Sequence, residues 1–216
     1  MRLISVNVGL PRAVSHNGKV VTTGIFKQPV AGRVPLRLHN LDGDRQADLS
    51  VHGGPSKAVY VYPAEHYDFW RAELRDSALT WGMFGENFTT SGLLEHGVHV
   101  GDRLGVGSAE VMVTEPRLPC YKLGIKFGRD DIVKKFLRSR RMGFYLAVVK
   151  EGEVAAGDAI EILSRADDGV SIAEFTATYL DKKNDPASIM RVLAAKHLAA
   201  GWKNYFVAQL AKLQAG

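Results

Sequence analysis

One cysteine stands in this sequence, in the stretch EPRLPCYKLG from Glu115 to Gly124. A thiol acts as a nucleophile or a soft metal ligand as its thiolate, and nearby positive charge favours that form. Arg117 lies three residues before Cys120 and Lys122 two residues after it, so the stretch carries the charge a reactive thiolate needs. Pro116 and Pro119 stiffen the backbone on the approach, which reads as a rigid turn. A lone cysteine is more often a small buried hydrophobe, but simple packing gains nothing from adjacent cations.

Three other stretches could carry chemistry. In VHGGPSKAVYVYP (51–63), Gly53 and Gly54 can turn backbone N–H groups toward an anion, and Lys57 adds a point charge. His52 can donate a hydrogen bond or move a proton. The polar run just upstream adds Asp44, Arg45 and Asp48, and loops of this kind often carry sites. A plain turn before a strand is the simpler reading of Gly-Gly-Pro. In MFGENFTTSGL (83–93), Glu86 can give a proton or pair with an arginine, and Asn87 can pin a loop. In TGIFKQPV (23–30), Thr23 and Lys27 flank a glycine.

Other chemistries lack their residues. The seven histidines are scattered, with no H-x-H or H-x-x-x-H pair, and one cysteine cannot build a zinc cage. His96 and His99 fall in a turn and read as surface residues. There is no P-loop, and no glycine fingerprint follows a strand, which disfavours a nucleotide-binding α/β enzyme.

These residues must be held by a chain of 216 residues, 46% hydrophobic and 24% charged. That describes one globular domain, or one domain with a small appendage. A single cysteine makes no internal disulfide and points to a reducing compartment, the cytoplasm. The first apolar run is broken by Asn7, Gly9 and Pro11, so it does not read as a secretory signal. No stretch approaches the roughly 20 apolar residues of a membrane helix. The net charge of +5 permits an anionic partner, but RSRR at 138–141 is too short to mark a nucleic-acid arm.

Residues 1–165 read as short strands separated by turns. RLISVNVG alternates apolar and polar, KAVYVYP is β-rich and stopped by Pro63, and AEVMVTEPR ends at Pro116. VHVGDRLGVG and VAAGDAIEIL look alike, each with Gly-Asp at a tight turn. AEHYDFWRAEL and DIVKKFLRSR read as short helices. The spacing predicts a mainly β fold, a barrel or sandwich, with small helices. Residues 166–216 read as three helices. Ser171 and Glu174 form a capping box, Asp185 and Pro186 start the second helix, and Gly201 is expected to stop it.

Taken in order, TGIFKQPV, GDRQADLSVHGGPSKAVYVYPAEHYDFW, FGENFTTSGL, VGDRLGVGSAEVMVTEPRLPCYKL and AGDAIEIL resemble MOSC domains, the module named for the molybdenum cofactor sulfurase C-terminus. The resemblance is closest to the YiiM-like branch, which carries a C-terminal three-helix extension, and it spans nearly the whole chain. It implies a β-barrel and a molybdenum cofactor, molybdopterin, with Cys120 as the metal's thiolate ligand. It implies that Lys27, Lys57, Arg117 and Lys122 complement the anionic cofactor, with Thr23, Gly53, Gly54 and Asn87 in the same binding set. His52, Asp48 and Glu86 would shape the pocket or move protons. Ser56 departs from the pattern, standing where relatives often carry an acidic residue. The activity implied is reduction of N-hydroxylated compounds such as hydroxylaminopurines. Such an activity calls for an electron-donor reductase protein and leaves a homodimer open, with no membrane or nucleic-acid polymer as partner. Two alternatives stand beside it: a persulfide carrier that delivers sulfur from Cys120, and a non-catalytic module that holds an anionic or protein partner.

Overall fold

The computed structural model describes residues 1–47 and 53–215. The expected sites at Asp48 and His52 lie outside the described residues. Eight strands form one mixed sheet: β1 (Arg2–Val8), β4 (Gln28–Pro29), β6 (Val59–Pro63), β7 (Phe88–Ser91), β8 (Arg103–Val106), β9 (Ala109–Pro116), β10 (Phe144–Lys150) and β12 (Ile160–Ser164). Their spatial order is β12-β8-β9-β10-β6-β7-β1-β4. All described pairings in this sheet are antiparallel except β6 with β7. The ladder stops short of the closed barrel expected from the sequence. The segment leading into β12 meets β1, not the end strand β4, through the bridge Arg2↔Ala159 and the backbone bonds around it, rather than through a continuous strand pair. Two small ribbons complete the β structure: β2 (Arg12–His16) with β3 (Lys19–Thr23), and β5 (Val34–Leu36) with β11 (Gly152–Val154).

Alternation along β6 shows how the sheet is buried. Val59 and Val61 join one hydrophobic cluster, whereas Tyr60 and Tyr62 join the other. A strand apolar on both faces must be covered on both. The tyrosine face is covered by α1 (Glu65–Glu73), α2 (Tyr121–Phe127) and α3 (Ile132–Ser139), through Tyr67, Trp70, Leu123, Ile132 and Phe136. The valine cluster takes in Phe175, Ile189, Val192 and Phe206 from α4 (Ile172–Leu180), α5 (Pro186–Leu193) and α6 (Ala200–Gln214). The C-terminal helices therefore share the core of the sheet. Among the described residues, no helix is long and apolar enough to cross a membrane.

Local chemistry sets most boundaries. The capping box at α4 forms in full, with both the Ser171 and Glu174 bonds in place. Asp185 caps α5 by accepting from the N–H groups of Ala187 and Ser188. The two Gly-Asp turns are built alike: Asp102 accepts from the N–H of His99, and Asp158 from that of Ala155. Gly201 does not stop the second C-terminal helix as expected. That helix ends at Leu193, and Gly201 lies in the first turn of α6. A Cβ at Gly201 would meet nothing within 4 Å, so no close approach demands glycine there.

Candidate functional site

The backbone leaves β9 at Pro116 and reaches Cys120, which occupies the N-cap position of α2 with extended dihedrals. The turn expected around the cysteine is thus the entrance to a short helix. Arg117 is anchored on this path by its N–H, which donates to the carbonyl of Gly143 at 3.2 Å. Gly143 in turn packs tightly on β6: its φ is +67°, and a Cβ there would fall 2.2 Å from the Val61 carbonyl oxygen.

A cleft of about 100 Å³ lies beside this path. Of the residues singled out in the sequence, Cys120, Arg117, Lys122 and Lys57 line it, and so do Thr23, Lys27, Gly53 and Asn87. Gly54 and Glu86 are not among its lining residues. Arg45, Tyr60, Leu118 and Tyr145 also line it, and Tyr60 and Tyr145 carry no sequence signal beyond their place on strands. Gly24 allows the wall between β3 and Arg45 to close, since a Cβ would meet the Arg45 carbonyl oxygen at 2.4 Å.

The cations at this cleft are not equivalent. Lys27 is buried and ion-paired with Asp44, and burial lowers its pKa despite that partner. Lys57 lies 3.6 Å from Glu115 and 5.9 Å from the centre of the Tyr145 ring. Arg117 and Lys122 are not ion-paired with a carboxylate among the described residues, and Arg117 instead interacts with Tyr145 and the Cys120 sulfur. Arg117 is only 5% exposed, and its guanidinium lies 5.1 Å from the ring centres of both Tyr60 and Phe136. Burial pulls its pKa down, but Tyr60, Tyr145 and the Cys120 sulfur pull it up, and the net direction is upward. Its Nη1 is buried without a hydrogen-bond partner, a condition shared among the described residues only with Thr90 Oγ1. A buried N–H of a charged group without an acceptor costs on the order of 1–3 kcal/mol or more, which an anion in the cleft would relieve.

Behind the cleft runs a buried polar network. Asp44 accepts from Lys27, from the N–H of Gly9 at 2.9 Å and from Asn87 Nδ2 at 2.9 Å. Asn87 Oδ1 accepts the N–H of Tyr60 at 3.1 Å. The asparagine therefore pins two strands together while facing the cleft. Glu86, fully buried, accepts from the Tyr67 hydroxyl, the N–H groups of Gly82 and Phe84, and Thr89 Oγ1. These bonds hold the loop before β7. Burial raises the pKa of Glu86, against the lowering pull of the Tyr67 bond.

The cleft opens into a larger groove of about 770 Å³. Four titratable side chains line both spaces: Lys57, Cys120, Lys122 and Tyr145. The far wall of the groove comes from the C-terminal helices, through Tyr179, Trp202 and Tyr205. Among the described residues, no group of three His, Cys, Asp or Glu side chains could hold a metal ion. A metal held at Cys120 inside a cofactor brings ligands of its own. The residues present fit such a group: a soft sulfur, and beside it cations that suit an anionic body.

The chain belongs to the MOSC domain family, which it matches over residues 48–161, and residues 170–213 match the YiiM-like 3-alpha helix domain. It is similar to two bacterial proteins over most of their lengths. One is YflK of Bacillus subtilis, 43% identical over 95% of this chain and 92% of that one. The other is YiiM of Escherichia coli, 36% identical over 83% of this chain and 81% of that one. The crystal structure of YiiM from Geobacillus stearothermophilus superposes with a TM-score of 0.81 at 31% identity, covering 97% of this chain and 98% of that one. A protein of Gibberella moniliformis named reductase is 34% identical over 76% of this chain, which covers 29% of its length.

Proposed function

We propose that this chain holds a molybdenum–pterin cofactor at Cys120 and reduces N-hydroxylated compounds, hydroxylaminopurines among them, in the cytoplasm. The observation that carries the reading is the pairing of Cys120 with a buried arginine whose Nη1 lacks a partner, in a cleft that also receives Lys122. Membership in the MOSC family and the name of the Gibberella relative support it.

When bound, the cofactor supplies a two-electron redox centre. The reaction balances as R–NHOH plus two electrons and two protons, giving R–NH2 and water. The N–O bond breaks, nitrogen is reduced, and an electron-donor reductase protein supplies the electrons. Cys120 holds the centre in place through its sulfur. Arg117, buried against two rings, presents its free N–H to the anionic body of the cofactor. Lys57 and Lys122, lining both cleft and groove, deliver a proton to the departing hydroxyl oxygen. Asn87 and Asp44 keep the cleft wall fixed through the network behind it.

The test is turnover of 6-hydroxylaminopurine with a chemical electron donor, by cofactor-loaded protein and by its Cys120→Ser variant. The reading expects turnover that Cys120→Ser abolishes. Full turnover by the variant overturns it, and labile sulfane sulfur on Cys120 without molybdenum favours the persulfide carrier instead.

A further inference from the structure

We propose that the groove walled by the C-terminal helices is the subsite that receives the planar ring of the substrate, so that the extension sets the enzyme's choice among N-hydroxylated compounds. This rests on the reading above. The cleft at Arg117 is small, about 100 Å³, whereas the groove is about 770 Å³ and within the range of ordinary ligand sites. The two meet at Cys120, so a molecule in the groove has one end at the sulfur.

The far wall suits a flat heterocycle. Trp202 lies 5.1 Å from Tyr179 and 5.9 Å from Tyr205, ring centre to ring centre, both nearly perpendicular at 85°. Tyr205 and Tyr179 are 5.4 Å apart. Tyr205 is 38% exposed and Tyr121, at the cysteine side of the groove, is 56% exposed. Large aromatic side chains left open on both sides of a groove gain by covering a ring between them. Glu115 adds an acceptor to the same groove, its Oε2 taking the Trp202 Nε1 bond at 2.6 Å. A carboxylate there matches the ring N–H and amino groups of a purine better than it matches an aliphatic hydroxylamine. The occupant assigned is therefore the ring of an aromatic amino-heterocycle, with its N–O group directed to Cys120.

The experiment titrates 2-aminopurine, by its fluorescence, into the full chain with and without loaded cofactor, and into Tyr205→Ala and Tyr179→Ala. Stacking on one aromatic is worth enough that each variant weakens binding by about tenfold. Loading the cofactor leaves the affinity of the parent chain unchanged. In turnover, the preference for 6-hydroxylaminopurine over N-hydroxyurea falls by about tenfold in Tyr205→Ala. Unchanged affinity and preference in both variants overturn the inference. So does loss of probe binding on loading, or loss of molybdenum in the tyrosine variants, either of which assigns the groove to the pterin. Those results leave the reductase reading standing. Absence of molybdenum from the parent chain sinks that reading while the probe titration still decides whether the groove takes a ring.

Discussion

Trp202 Nε1 donates to Glu115 Oε2 at 2.6 Å, tying the first turn of the last helix to the strand that feeds Cys120. The same carboxylate lies 3.6 Å from Lys57. One buried acid thus connects the C-terminal extension, the β9 end and a cation of the cleft. A double-mutant cycle with Trp202→Phe and Glu115→Gln, read by denaturant unfolding, is expected to give a coupling of about 1–2 kcal/mol. Additive effects would mean that the bond contributes nothing to docking the helices.

Arg117 and Cys120 form the electrostatic heart of the site. Replacing the guanidinium by an apolar chain removes the charge that favours the thiolate. In Arg117→Met, the pH profile of iodoacetamide alkylation at Cys120 is expected to move to higher pH. An unmoved profile would show that the arginine does not govern the sulfur.

Lys126 gives a pH dependence whose sign is fixed. Its Nζ donates to the carbonyls of Ile25 and Gly82, and burial lowers its pKa to about 8 from 10.5. Between those values the unfolded chain binds more protons than the folded one, so this group's contribution to stability rises with pH. Below about 8 the lysine is charged in both states and the cost of burying that charge is present in full. The difference in unfolding free energy between the parent chain and Lys126→Met is therefore expected to grow in the parent's favour from pH 8 toward pH 10, by up to roughly 3 kcal/mol. A flat difference across that window contradicts the assignment.

Glu86 accepts from four donors and faces none that an amide could replace without conflict. Glu86→Gln puts an NH2 group against N–H or O–H donors and is expected to cost about 1–3 kcal/mol of stability. Thermal unfolding checks this. Because the carboxylate lies behind the cleft rather than in its lining, molybdenum retained per folded chain should stay near that of the parent; a selective loss of metal would give Glu86 a part in holding the cofactor.

Much of this organisation is legible in the sequence, and what is hidden there has physical reasons. Ser171–Glu174 and Asp185–Pro186 announce helix starts because capping is local chemistry that the neighbouring residues decide. Cys120, Arg117, Lys122 and Lys57 line one cleft, and three of them are close in sequence. The helix after Cys120 was hidden because α2 is only seven residues long and contains Gly124. That glycine serves packing: a Cβ would stand 3.2 Å from the Arg129 carbonyl oxygen. The hairpin of β2 and β3 carries a local signal, Asn17-Gly18, both of which take positive φ at its turn. The pairing of Lys27 with Asp44 and the aromatic wall of Tyr179, Trp202 and Tyr205 are long-range contacts, which no local pattern encodes.

The most direct measurement is the molybdenum content of protein made in a cofactor-rich host, taken by elemental analysis beside the Cys120→Ser variant. The account predicts molybdenum that copurifies with the parent chain and is lost from the variant while folding is unchanged. Equal molybdenum in both, or none in the parent under conditions that load other molybdenum proteins, would contradict it.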